Sequence, residues 1–148
     1  MFPKGKNIIV CSGKALYALD YKTGTEKYEI PLGDDGIGVA EKIIDPTELT
    51  GNISKSDVLV LGAKGVAAHN METGKLTWAT KTKGGEFSGI YGDNIFFDTE
   101  KGDYFAVEAN SGQSHFFDSR KNSKSQVTMD GKFIFVFEGK SILKVSTR

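Results

Sequence analysis

Asp34 and Asp35 stand side by side among glycines in Gly-Asp-Asp-Gly-Ile-Gly, residues 33–38. Oxygen-rich turns can hold calcium, but a calcium loop needs its ligands at alternating positions. Adjacent acids do not supply that spacing, so the stretch reads as a solvated turn. The only histidines are His69 and His115. Neither has a Cys or His at zinc-ligand spacing, which favours structural or surface roles. Cys11 closes the apolar run Ile8-Ile9-Val10 and has no sequence-near histidine to activate it, so it reads as an inert, buried strand thiol. A lipoprotein cleavage site would need a longer apolar stretch and a small residue before the cysteine, where Val10 stands. A single cysteine allows no internal disulfide and leaves the redox compartment open. The sequence contains no G-x-x-x-x-G-K-[ST] phosphate loop and no G-x-S-x-G nucleophile elbow. These residues therefore name no catalytic group, no metal site and no cofactor.

A different constellation recurs. Ala68-His-Asn-Met-Glu-Thr-Gly-Lys-Leu-Thr-Trp78 has copies at Ala18–Tyr28 and Ala106–Phe116. All three read Ala-x-(Asp/Asn/Glu)-x-x-(Thr/Ser)-Gly-x-x-x-aromatic. The copies hold Ala18, Asp20, Thr23, Gly24 and Tyr28; Ala68, Asn70, Thr73, Gly74 and Trp78; and Ala106, Glu108, Ser111, Gly112 and Phe116. Each type has a task. Asp20 and Asn70 can accept bonds from backbone N–H groups two and three residues on, and Glu108, being longer, does so less well. Thr23, Thr73 and Ser111 add a hydroxyl. The glycine supplies the positive φ that ends the turn. The small alanine leaves room for a flat ring, and the aromatic returns four residues after the glycine to stack over a neighbouring repeat.

The elements that carry these turns are strands. Asn7–Gly13, Asp57–Ala63 and Asp93–Thr99 are β-rich runs that precede each motif, and Lys132–Gly139 leads a fourth. The motif glycines are 50 and 38 residues apart, close to the length of a four-stranded propeller blade, which is about 40. The spacing predicts blades at approximately 5–38, 39–84, 85–124 and 125–148. Inner strands are expected near Glu86–Tyr91 and Ser125–Met129. Only four residues precede Gly5, so the first blade is expected to lack its inner strand and the last its outer one, giving fourteen strands. Asp45–Gly51 could form one helical turn.

Composition narrows the function classes. Nineteen basic residues balance nineteen acidic ones, which gives no footprint for nucleic acid or an anionic membrane. The basic stretches Ser119–Ser125 and Lys81–Gly85 read as solvated loops. No apolar run approaches the roughly 20 residues of a membrane span. Eighteen glycines against three prolines fit many tight turns between short strands.

The repeat resembles the tryptophan-docking motif of the quinoprotein (PQQ-like) β-propellers, on the fifteen residues named above. The resemblance implies an all-β fold of about four consecutive four-stranded antiparallel blades, part of a ring of six to eight blades. A self-closed four-bladed ring is the alternative. Two of the three docking positions are Tyr28 and Phe116 rather than Trp, and Glu108 replaces the shorter acid. That places the chain nearer the non-enzymatic members, such as the propeller lipoprotein of the outer-membrane β-barrel assembly machinery. Resemblance to those members implies a scaffold that binds another protein or the remaining blades of a longer chain. It also implies self-association through open blade edges and extracytoplasmic residence. The other readings are a fragment of a PQQ-dependent dehydrogenase and a carbohydrate-binding propeller. The dehydrogenase family often carries an adjacent-cysteine disulfide, which one cysteine cannot form.

Overall fold

The computed structural model describes residues 1–4, 6–32, 36–44, 57–82, 85–98, 103–119, 127–130, 133–138 and 141–146. These form fifteen strands and no helix. The first sheet holds β1 (Phe2–Lys4), β2 (Asn7–Cys11), β3 (Ala15–Asp20) and β4 (Glu26–Pro31). The second holds β5 (Ala40–Ile44), β6 (Asp57–Gly62), β7 (Gly65–Asn70) and β8 (Leu76–Lys81). The third holds β9 (Glu86–Tyr91), β10 (Asn94–Asp98), β11 (Asp103–Glu108) and β12 (Ser114–Ser119). The last described sheet holds β13 (Val127–Asp130), β14 (Phe133–Glu138) and β15 (Ser141–Ser146). Within each sheet every strand pairs antiparallel with its neighbour in sequence. Such meanders follow from short apolar runs separated by turn residues.

The first sheet corrects the expected strand count. β1 pairs with β2 through Phe2↔Ile9, Pro3↔Ile8 and Lys4↔Asn7. Three residues suffice because β1 lies at the sheet edge, where Pro3 can sit without breaking a central ladder. The Asp45–Gly51 turn, Asp34 and Asp35, and most of the Ser119–Ser125 loop lie outside the described residues. Among the described residues no helix is long and apolar enough to cross a membrane.

The core lies between sheets. β6 reads Asp-Val-Leu-Val-Leu-Gly and is buried almost throughout. Its period of two divides it between two clusters. Val58 and Val60 join Ile9, Leu16 and Ile30 of the first sheet and Leu32 just beyond it. Leu59 and Leu61 join Ile95, Phe97 and Val107 of the third. β7 divides in the same way, with Ala67 on one side and Val66 and Ala68 on the other. A strand covered on both faces needs a continuous apolar run, and this is what the sequence provides. Each such fully buried aliphatic side chain contributes about 1.5–3 kcal/mol.

Candidate functional site: the turns that clasp successive sheets

The three motif turns follow β3, β7 and β11 and share one backbone form. Gly24, Gly74 and Gly112 have φ of +68°, +70° and +72°. Their N–H groups donate to the carbonyls of Asp20, Asn70 and Glu108 at 2.9, 2.8 and 2.8 Å. The N–H groups of those three residues donate in turn to Thr25, Lys75 and Gln113 at 2.8, 2.8 and 2.9 Å. Thr23, Thr73 and Ser111 accept through their hydroxyls from the N–H two residues on.

Side-chain closure differs between copies. Asp20 Oδ1 accepts from the N–H groups of Lys22 and Thr23 at 2.9 and 3.1 Å. Asn70 Oδ1 accepts from Glu72 and Thr73 at 3.0 Å each. The Thr23 N–H bond, then that of Lys22, then the Lys27 ammonium hold the Asp20 carboxyl down to about 2. Glu108 closes its turn by a different route. Its main-chain carbonyl accepts from the Ser111 N–H at 3.3 Å. Its carboxylate takes the Ser111 hydroxyl at 2.8 Å and meets His115 Nε2 at 3.0 Å. The Ser111 hydroxyl first and His115 second lower its pKa.

The cross-strand partner of each motif residue is complementary to it. Asp20 faces Asn7, Asn70 faces Asp57 and Glu108 faces Asn94. An acid is thus always opposed by an amide, with the order reversed in the second sheet. Two acids directly opposed would repel. The reversal is engaged at Asp57, which is buried and accepts from Asn70 Nδ2 at 3.2 Å.

The aromatic residues tie each sheet to the next. Trp78 is half-buried rather than enclosed. Its Nε1–H donates to the Ala109 carbonyl of the third sheet at 3.2 Å. Its ring lies on Gly112, where an added Cβ would meet Cδ2 and Cε3 at 2.6 Å. The Thr80 hydroxyl donates to the Gly112 carbonyl beside it. Tyr28 is also half-buried, and its hydroxyl donates to the Met71 carbonyl of the second sheet. Burial, then Glu72, raises its pKa. Met71 and Ala109 hold equivalent places, each one residue after the motif acid or amide. The two rings therefore read the same backbone atom of the following sheet. Above Gly74, however, the nearest side chain is Ile30, at 3.7 Å from an added Cβ.

Two expectations need correction. Ala18 and Ala68 face Tyr28 and Trp78 across the strand pair, as the motif suggests. Ala106 instead faces His115, and Phe116 faces Phe105. The irregularity in pairing lies after the alanine in the first two sheets and between Tyr104 and Phe105 in the third. This one-residue slip brings His115 into reach of the longer Glu108 carboxylate. Cys11, expected to be buried, is instead a half-buried free thiol at the edge of the first core cluster, while His69 lies in β7 and is buried. Among the described residues no three His, Cys, Asp or Glu side chains converge as a metal site.

Sequence reasoning missed the opposing residues Asn7, Asp57 and Asn94. Their signal was a polar residue at a near-constant 13, 13 and 14 positions before the motif acid or amide. It also missed a cavity of about 510 Å³ between the second and third sheets, flanked by β5, β9 and the β6–β7 turn.

No family model matches the sequence, and no curated protein is significantly similar to it. Solved structures do match the fold. BamB from Moraxella catarrhalis aligns over 95% of the chain at 14% identity and a TM-score of 0.53. Hydrazine synthase from Kuenenia stuttgartiensis aligns over 92% at 18% identity and a TM-score of 0.56. The computationally designed protein Ika8 aligns over 99% at 10% identity and a TM-score of 0.61. The chain spans 44%, 41% and 44% of those three chains, respectively. Likeness at this identity is a statement about fold: the four sheets are consecutive blades of a β-propeller.

Proposed function

We propose that this chain is a non-catalytic PQQ-like propeller segment that serves as a scaffold for another protein. The observation that carries this reading is the use of the motif's polar groups. Asp20, Thr23, Asn70, Thr73, Glu108 and Ser111 are engaged in closing turns. Trp78 and Tyr28 are engaged in joining sheets. On this reading all fifteen motif residues form a structural docking motif. The chain would contribute its blades to a larger ring outside the cytoplasm and offer its turns to a partner. The fold likeness to BamB supports the scaffold class. Fold alone does not fix function, so the test must be chemical. Calorimetric titration with PQQ and calcium, and dye-linked oxidation of alcohols and sugars, should give no signal with the purified chain. Saturable PQQ binding in the micromolar range, about −8 kcal/mol, would overturn the reading in favour of a quinoprotein dehydrogenase fragment.

A further inference from the structure

The two junctions between the first three sheets are closed differently at the same place. The turns Ser12–Lys14 and Gly62–Lys64 are equivalent: the Lys14 carbonyl accepts from Leu32 at 2.8 Å, and the Lys64 carbonyl from Thr82 at 3.1 Å. At the first junction Val39 covers Gly13, with Cγ1 3.5 Å from an added Cβ. The Ala40 N–H there donates to the Gly13 carbonyl at 3.0 Å. At the second junction the residue just before the inner strand is Gly85, with no side chain to lay over the turn. The cavity of about 510 Å³ opens there, bordered by Gly62, Ala63 and Gly85.

Its lining has a definite chemistry. Phe87, 37% exposed, forms one wall and meets Phe97 edge to face, ring centres 6.4 Å apart. Glu41 and Glu86 are exposed carboxylates among its lining residues. Asp98 faces Glu86 across the strand pair, and burial together with Glu86 raises its pKa. Against these acids stands Lys42, whose ammonium lies 5.1 Å from the centre of the Phe87 ring. The ring face therefore already attracts a cation. Lys42 reaches it from the second sheet as an occupant that an incoming group could replace.

We propose that this cavity receives one basic side chain, arginine or lysine, from a protein partner, with Phe87 beneath the cation and Glu41 and Glu86 beside it. This deepens the scaffold reading and rests on it. Charge complementarity selects the occupant: among the described residues, Glu41 and Glu86 line the cavity beside its aromatic wall, Asp98 faces Glu86 across the strand pair, and Lys42 is the single cation of the lining. An arginine fits best, because its planar fork can stack and pair with a carboxylate at once.

Nuclear magnetic resonance of the labelled chain tests this with a short Gly/Ser peptide carrying one central arginine. A norleucine peptide and a glutamate peptide serve as controls. Saturable shifts should centre on the Gly62, Ala63, Gly85, Glu86 and Phe87 amides, at millimolar affinity. Glu86→Gln and Phe87→Ala should each weaken binding about three- to tenfold. Lys42→Met should tighten it by removing the competing cation. Both Glu86 and Phe87 are exposed, and unchanged amide spectra elsewhere check that their variants fold. Equal binding of the norleucine peptide, preference for glutamate, or no shifts at these amides would overturn the proposal. A partner protein bound equally by wild type and by Glu86→Gln/Phe87→Ala would also overturn it while leaving the scaffold reading intact.

Discussion

Replacing each motif glycine by alanine separates backbone strain from ring contact. Gly24, Gly74 and Gly112 share nearly the same φ, from +68° to +72°. Each alanine therefore bears a similar left-handed cost, about 1–2 kcal/mol. At Gly24 an added Cβ meets nothing within 4 Å, and at Gly74 it meets Ile30 at an ordinary 3.7 Å. Those two variants should lose about 1–2 kcal/mol and no more. At Gly112 the methyl would lie 2.6 Å from Cδ2 and Cε3 of Trp78 and 2.9 Å from Cγ. Carbon atoms prefer about 3.5–4.0 Å, so the ring must withdraw by roughly 1 Å. It is held by the Ala109 carbonyl and by its place in the second core cluster. Overpacking of this kind costs about 1–3 kcal/mol, which brings Gly112→Ala to about 2–5 kcal/mol. Urea melts should show a lower midpoint with an unchanged slope. In a Trp78→Ala background the excess should vanish, leaving about 1–2 kcal/mol and a coupling of about 1–3 kcal/mol. The reasoning is refuted if Gly112→Ala costs no more than Gly24→Ala, or if removing Trp78 leaves its cost unchanged.

Other outcomes rest on the same turns and clasps. Trp78→Phe keeps most of the ring but loses the Nε1–H donor to Ala109; denaturant melts should show a loss of about 1 kcal/mol. Asn70→Asp sets a carboxylate against buried Asp57 and should cost about 1–3 kcal/mol, whereas Asp57→Asn with Asn70→Asp restores the acid–amide order. A double variant no better than Asn70→Asp alone would show that the pairing order carries no energy. Asp20, held down to about 2 when folded, favours the folded state above its unfolded value near 3.9. That contribution should fade as pH falls from about 4 towards 2, and it should be missing in Asp20→Asn, which keeps an Asn70-like turn. Carboxyl resonances followed by NMR give the titration directly, and a midpoint near 4 for Asp20 would contradict the turn geometry.

Some of this architecture could be read from residue types alone. The continuous apolar run Val58–Leu61 marked β6 as buried on both faces, because side-chain period in a strand is fixed by backbone geometry. The positive φ of Gly24, Gly74 and Gly112 was readable because the surrounding motif calls for a left-handed residue. The acceptors of Tyr28 and Trp78 were hidden. Both are main-chain carbonyls, which every residue has, so nothing in the names Met71 and Ala109 marks them. The slip at Ala106 was hidden for another reason. It sets His115 rather than Phe116 opposite Ala106, a cross-strand register that a linear pattern does not encode. β1 was missed because three edge residues carry too little periodicity to be recognised, yet pairing with β2 makes them a strand.

The clasp between sheets has a consequence for descent. Tyr28 and Trp78 each carry the only side chain of their hydrogen bond, and the receiving sheet supplies a carbonyl whatever its sequence. For this bond alone a duplicated blade would need no matching side chain in its neighbour, although the Trp78 ring also needs the bare backbone of Gly112. The bond does not read the side chain at the receiving position, and Met71 and Ala109 already differ, each fitted to its own core cluster. The bond itself needs a ring with a donor at the right reach, which Tyr28 and Trp78 supply. The donor half of this bond is thus written in a side chain and the acceptor half in backbone alone.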